Sequence, residues 1–323
     1  VPVTLLTGFL GAGKTTLLNR ILNGDHGLRV GVLVNDFGAI NIDAELVAGV
    51  EQNTISLTNG CVCCEIRDDL VDSLEQLLTR DEAIDYVILE SSGIADPEGI
   101  VMTFLNPRYE GLLWIDSVTC VVDAVGIFAD GDNDRLNMLK LRQIGFADLV
   151  VLNKTDLVGT EHIEVIREWI GLHKDPVRII ETTYSNVPME VLLSAGRFDS
   201  EAVADLRTED TGAAQPHHPD DLDRVFDRWS YRTTAPFSLD ALRLMVRREL
   251  PESVYRCKGI IYAADSPTTR LALQVVGGRM QIVDLGEWGD RQRVSEIIAI
   301  GSEIDRQHLS DLFDACHEEN EPA

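Results

Sequence analysis

An apolar, β-branched run at Val3 to Leu6 leads into Gly8-Phe9-Leu10-Gly11-Ala12-Gly13-Lys14-Thr15-Thr16, and a helical pattern from Thr15 to Asn23 follows, ended by Gly24. Strand, glycine-rich turn and helix in that order constrain the fold more than any other feature, because they open a parallel α/β layer structure. The glycines let successive backbone N–H groups curl around phosphate oxygens. Lys14 offsets the charge of the β- and γ-phosphates, and the Thr15 hydroxyl suits magnesium. Gly11, Ala12, Gly13, Lys14, Thr15 and Thr16 are therefore the expected phosphate-binding residues, with Lys14 and Thr15 also expected in catalysis. Taken alone, the pattern also allows a chance glycine turn.

The alternation continues with apolar strands expected at Tyr86 to Leu89, Val118 to Val122, Leu149 to Leu152 and Val177 to Ile180, and with shorter candidates at Val30 to Val34 and Thr54 to Leu57. Runs apolar almost throughout suit strands buried on both faces. A helix is expected at Ile66 to Leu78, where Leu70, Leu74, Leu77 and Leu78 recur at helical spacing. The expected organisation is a doubly wound, mostly parallel α/β domain over 1–198, an acidic linker over 199–223, a smaller α+β domain over 224–317 and a tail over 318–323. The linker holds eight acidic residues against one Arg, with Pro216 and Pro219. Gly277-Gly278 reads as a hairpin turn in the second domain.

The formal net charge is −26, from 54 acidic against 28 basic residues. Such an excess repels phosphate backbones and anionic lipid, so nucleic acid and membrane are not expected partners. No apolar run reaches the ~20 residues of a membrane span, and a cytoplasmic location is expected. Aspartate (31) outnumbers glutamate (23), and only 5 of the basic residues are Lys. Adaptation to a high-salt cytoplasm and ordinary acidic drift both fit that bias.

Asn153-Lys154-Thr155-Asp156 ends the run Leu149 to Leu152, where ligands of open α/β sheets bind. A carboxylate at Asp156 can accept guanine N1–H and the exocyclic amine together. Adenine offers no such pair of donors, so GTP is the expected nucleotide, with Asn153, Lys154 and Asp156 at the base. Glu90-Ser91-Ser92-Gly93 follows another apolar strand. Glu90 is expected to hold magnesium through water and to act in catalysis, and the Gly93 amide to sense the γ-phosphate, although a helix N-cap also fits these residues.

Cys61, Cys63 and Cys64 stand where a strand gives way to the helix expected from about Glu65. A helix N-terminus raises thiolate character, and tetrahedral zinc takes four ligands, so three thiolates leave one position open. A redox dithiol and packing cysteines are the other readings. Cys120, within an apolar strand, reads as core.

Together these residues resemble the CobW-type GTPases, P-loop proteins implicated in delivering metals such as zinc or cobalt to client proteins. The resemblance runs over nearly the whole chain through GFLGAGKTT at 8–16, NDFGAINID at 35–43, GCVCC at 60–64, ESSGIADP at 90–97, NKTD at 153–156 and Arg256-Cys257-Lys258-Gly259. It implies a metallochaperone whose GTP hydrolysis is coupled to transfer of zinc or cobalt to a client metalloprotein or metal-requiring apo-protein. Asp36 and Asp43 would lie on a nucleotide-responsive loop, with Asp36 a hydrolytic or metal-proximal carboxylate. A nucleotide-dependent homodimer is also among the expected partners. The alternative is a GTP-gated activator docking on one metalloenzyme, like the nitrile hydratase activators or the cobalamin-biosynthesis proteins. The chain departs from the family at Ala39, where many relatives have an acid, and at Glu181-Thr182-Thr183, in place of a Ser-Ala-like base-contact loop. His217-His218 is a reduced His-rich linker, and His317 reads as a helix-end cation.

Overall fold

The computed structural model describes residues 1–24, 26–35, 54–57, 84–104, 113–129, 131, 133–174, 177–193 and 227–317. The chain divides into two compact units, Val1–Ala195 and Gly196–Ala323.

The first unit runs β1 (Pro2–Thr7), α1 (Lys14–Asn23), β2 (Val30–Asn35), β3 (Thr54–Leu57), β4 (Tyr86–Glu90), α2 (Pro97–Phe104), β5 (Trp114–Asp123), α3 (Asp134–Phe146), β6 (Leu149–Asn153), α4 (Thr160–His173), β7 (Arg178–Glu181) and α5 (Met189–Leu192). Its strands form one seven-stranded sheet in the order β3-β2-β4-β1-β5-β6-β7. Every pairing in it is parallel. This is the doubly wound α/β architecture. The connection from β1 runs to one side of the sheet and the later strands return on the other, so β1 lies at the switch of strand order, where such sheets open a ligand crevice.

Alternate strand residues build the core. Val3, Leu5, Val87 and Leu89 meet Ile100, Val101 and Phe104 of α2, whereas Cys120, Val122, Val150 and Leu152 meet Ile144 of α3 and Ile166 and Ile170 of α4. All are nearly free of solvent contact, and each large apolar side chain so buried stabilises the unit by about 1.5–3 kcal/mol. Burial pushes the Cys120 thiol up to about 12 against a smaller opposing pull from Lys14, so it is an inert core group. β5 is longer than the run Val118 to Val122. Its register against β1 shifts between Val3 and Thr4, and Asp116 beside that shift accepts a hydrogen bond from the Tyr86 phenol.

The second unit runs β8 (Asp227–Thr233), α6 (Leu239–Arg248), β9 (Val254–Ile261), β10 (Thr269–Val276), β11 (Arg279–Glu287), β12 (Ser295–Gly301) and α7 (Arg306–Asp314). Its five strands form an antiparallel sheet in the order β11-β10-β9-β12-β8. Gly277 at φ 60° with Gly278 turns the β10–β11 hairpin, pairing Val276 with Arg279. Ser238 caps α6 through the Ala241 amide, and Asp305 caps α7 through His308. Leu242, Met245 and Val246 of α6 and Leu309 and Phe313 of α7 cover Trp229, Cys257, Leu273, Val275 and Ile297.

His317, expected at a helix end, is 3.6 Å from Asp314 Oδ1 through Nε2. It lies beyond the last residue of α7, its Nε2 is 2.8 Å from the Tyr231 hydroxyl, and its ring stacks 4.6 Å from that of Phe237. Burial, reinforced by the bond to Asp314, raises the Tyr231 hydroxyl pKa. Among the described residues, no helix is long and apolar enough to cross a membrane.

Candidate nucleotide site

α1 begins differently from α3, α6 and α7. Its N-cap is Gly13 at φ 111°, with no side chain to occupy the first helical N–H groups. Those groups are left facing the loop end of β1, the usual arrangement for binding an anion. Any other residue at position 13 would be strained at this φ, and its Cβ would fall 2.4 Å from Asn153 Nδ2 and displace that amide. Lys14 is mostly buried and donates from Nζ to the carbonyls of Gly8 (2.9 Å) and Phe9 (3.3 Å), so its ammonium arches over the loop.

Thr15 and Glu90 come together in the fold: the Thr15 hydroxyl donates to Glu90 Oε1 at 3.1 Å. Glu90 is 3% exposed at the end of β4, next in the sheet to β1. A hydroxyl and a carboxylate side by side form the hard oxygen donor set that magnesium takes.

On the other side of β1 the sheet places Asn153, Lys154 and Asp156. Both ends of the Asn153 amide are used inside the protein: Nδ2 donates to the Ala12 carbonyl (2.9 Å), and Oδ1 accepts from the Ser185 amide (2.8 Å). Asn153 therefore ties the phosphate loop to the segment after β7. Lys154 adopts a left-handed backbone at φ 63° and pairs with Asp123 at 2.6 Å. Asp156 lies in a 3-10 turn, Thr155–Leu157, with its side chain exposed.

Three residues that sequence reasoning does not single out complete this region. Asp123 ends β5 and orients Lys154. Ser185 donates from its hydroxyl to the Gly13 carbonyl (3.1 Å), and Asn186 accepts from Arg20 of α1 (2.9 Å). The segment that follows Glu181-Thr182-Thr183 thus joins the phosphate loop and α1. Glu181 ends β7 and pairs with Arg167, whereas the Thr182 amide bonds the Leu152 carbonyl and continues the strand. The only local signal for Asp123 is an acid closing an apolar central strand, and Ser185 gives none.

Asp36, Asp43, Ala39, Cys61, Cys63, Cys64, the helix at Ile66 to Leu78 and the linker with His217-His218 lie outside the described residues. What the fold does show is where the strands leading to them end. β2 pairs with both β4 and β3, matching Val34 with Glu90 and Asn35 with Leu57. Asp36 follows directly on β2 in sequence and the cysteines follow shortly after Leu57, so the last residues of β2 and β3 lie at the same end of the sheet as Glu90.

Strand, uncapped helix start, Lys14, the Thr15–Glu90 pair and the Asn153 brace define a P-loop nucleotide-binding protein. More narrowly, the chain belongs to the CobW family: residues 2–181 match the CobW/HypB/UreG nucleotide-binding domain, and 226–317 match the cobalamin synthesis protein cobW C-terminal domain. It is 31% identical to a zinc chaperone CobW from Sinorhizobium sp over 93% of this chain and 92% of that protein. It is 30% identical to a zinc-regulated GTPase metalloprotein activator 1 from Dictyostelium discoideum over 89% of this chain and 68% of the relative. The crystal structure of zinc-bound YjiA GTPase from E. coli aligns over 98% of this chain and 99% of that one, with 25% identity and a TM-score of 0.47.

Proposed function

We propose that this chain is a metal-binding GTPase that couples GTP binding and hydrolysis to transfer of zinc, or alternatively cobalt, to a client protein in the cytoplasm. The observation that carries the reading is the shared sheet edge. β2, which leads to Asp36, pairs with β4, which ends at Glu90, and β3, which leads to the cysteines, pairs with β2, an arrangement that supports nucleotide and metal chemistry being linked. The names of the relatives add zinc and a protein client to that picture.

In this reading the first amides of α1 and the Lys14 ammonium hold the phosphates and stabilise charge on the transferring group. Thr15 and Glu90 hold magnesium, which when bound offsets the charge of the β- and γ-phosphates. Gly93 reports the γ-phosphate, Asp156 selects guanine, and Asn153 and Asp123 keep the base side aligned with the phosphate side. Asp36 acts near the transferred phosphoryl group, and Cys61, Cys63 and Cys64 carry the cargo metal.

A second reading, a GTP-gated activator that docks on one metalloenzyme, draws on the other relative's name and on the surface beside the loop. Leu10 (59%) in the phosphate loop and Ile94 (45%), Val125 (50%) and Phe128 (39%) in the turns flanking it are exposed large apolar residues. A client or a second copy of the chain in a nucleotide-dependent homodimer would cover them.

Thiol chemistry tests the metal assignment. Cys120 and Cys257 are buried, and burial with the nearby Glu249 carboxylate pushes Cys316 up to about 11, so none of these should react in the native protein. Alkylation mapped by mass spectrometry should label only Cys61, Cys63 and Cys64, and stoichiometric zinc should protect them. A Cys63→Ser and Cys64→Ser double variant should lose zinc and keep GTP. Retention of zinc by that variant would place the metal elsewhere.

A further inference from the structure

Helix α3 carries two buried polar side chains, Lys140 (3% exposed) and Gln143 (1%), one turn apart. Neither is tolerable in a core without partners, so what they bond is informative. Lys140 Nζ donates to the carbonyls of Gly126 (3.0 Å) and Ile127 (2.8 Å) in the turn after β5, and it lies 4.8 Å from the ring centroid of Phe9 in the phosphate loop. Gln143 Nε2 donates to the carbonyls of Gly93 and Ala95, each at 3.1 Å, in the turn after β4. That turn closes on itself through the Ala95 amide and the Ser92 carbonyl (2.9 Å). It also lies flush on the phosphate loop, since a Cβ at Gly93 would fall 2.7 Å from the Leu10 amide nitrogen. One helix face, at i and i+3 spacing, thus holds the turns on both sides of the loop.

We propose that Gln143 is the positioning residue for the γ-phosphate response. By holding both outward carbonyls of the Ser92–Ala95 turn, it keeps the Gly93 amide beside the phosphate loop, so that a nucleoside triphosphate meets an ordered turn. Lys140 supports it by fixing α3 against Phe9 and the Gly126–Ile127 turn. This rests on the reading of the chain as a GTPase whose γ-phosphate is sensed by Gly93. A diphosphate leaves the turn untouched, so Gln143 separates triphosphate from diphosphate and leaves guanine recognition to Asp156.

The test uses the full chain with Gln143→Leu, which keeps the volume and removes the donors, and Gln143→Glu. Affinities for GDP and a non-hydrolysable GTP analogue are measured together with kcat and KM for GTP between pH 5.5 and 8. Gln143→Leu should keep its GDP affinity and lose roughly tenfold in analogue affinity and in kcat, the effect of two lost buried donor contacts. In Gln143→Glu an ionised carboxylate only accepts, whereas the protonated acid can donate to one carbonyl. Its kcat, taken relative to wild type at each pH, should therefore recover as pH falls. An equal loss of GDP and analogue affinity, or a Glu variant with the wild-type pH profile, would overturn the proposal by making Gln143 a packing residue. If the wild-type protein itself binds GDP and the analogue alike, the Gly93 assignment falls and takes the proposal with it. That failure differs because it needs no variant to reveal it.

Discussion

Lys14→Ala should lower GTP turnover by roughly 10²- to 10³-fold while the protein stays folded, because it removes one preorganised cation from the site where phosphoryl charge develops. In the structure the Lys14 ammonium donates hydrogen bonds to the carbonyls of Gly8 and Phe9. Each such bond contributes about 1 kcal/mol net, small against the stability of a domain of this size. Thr15→Ala should behave similarly, since it removes the hydroxyl beside Glu90. Single-turnover hydrolysis alongside a thermal melt separates the two effects. Wild-type turnover in either variant would remove the loop from the chemistry.

Asp156→Asn should weaken GTP binding by about 2–4 kcal/mol, because the two guanine donors then face an amide that cannot accept both. The same amide can donate to the 2-oxo group of xanthine and accept from its N1–H, so xanthosine triphosphate should bind the variant better than GTP does. The exposed position of Asp156 makes a folding defect an unsuitable explanation for such a swap. Competition titrations with GTP, ATP and xanthosine triphosphate read it directly. Unchanged GTP affinity would take Asp156 out of the base pocket.

The parts of this architecture legible in the sequence are those whose signal is local. A buried parallel strand is an apolar run, and a phosphate loop is a glycine spacing at its end, so β1, α1, β4 and β6, and with them the placement of Lys14, Thr15, Glu90 and Asp156, follow from the residue pattern alone. The Gly277-Gly278 hairpin belongs to the same class. What a local pattern does not carry depends on contacts between distant segments. Ser185 reaches Gly13 across 172 positions of sequence. Asn153 is expected at the base, yet its amide braces the phosphate loop. Lys140 and Gln143 look like ordinary polar positions of a helix until three-dimensional packing buries them. Strand ends are also blurred, because β7 continues through Glu181 and the loop that meets α1 starts later. The antiparallel unit is legible as strands and helices, but the partnership of His317 with Tyr231 and Phe237 needs the β8 and α7 packing to form.

Zinc affinity in the two nucleotide states tests the central claim most directly. Linkage requires that if the γ-phosphate alters the metal site, the metal alters nucleotide affinity by the same factor. Competitive chelator titrations with GDP and with a non-hydrolysable GTP analogue, on wild type and on the Cys63→Ser and Cys64→Ser double variant, measure that factor. The account predicts tighter zinc binding in the triphosphate state by roughly 5- to 150-fold, as it would be if the proposed nucleotide-responsive loop supplied the fourth ligand, with the difference lost in the double variant. Equal zinc affinities in the two states would contradict nucleotide-gated transfer and leave the client-docking activator as the better account.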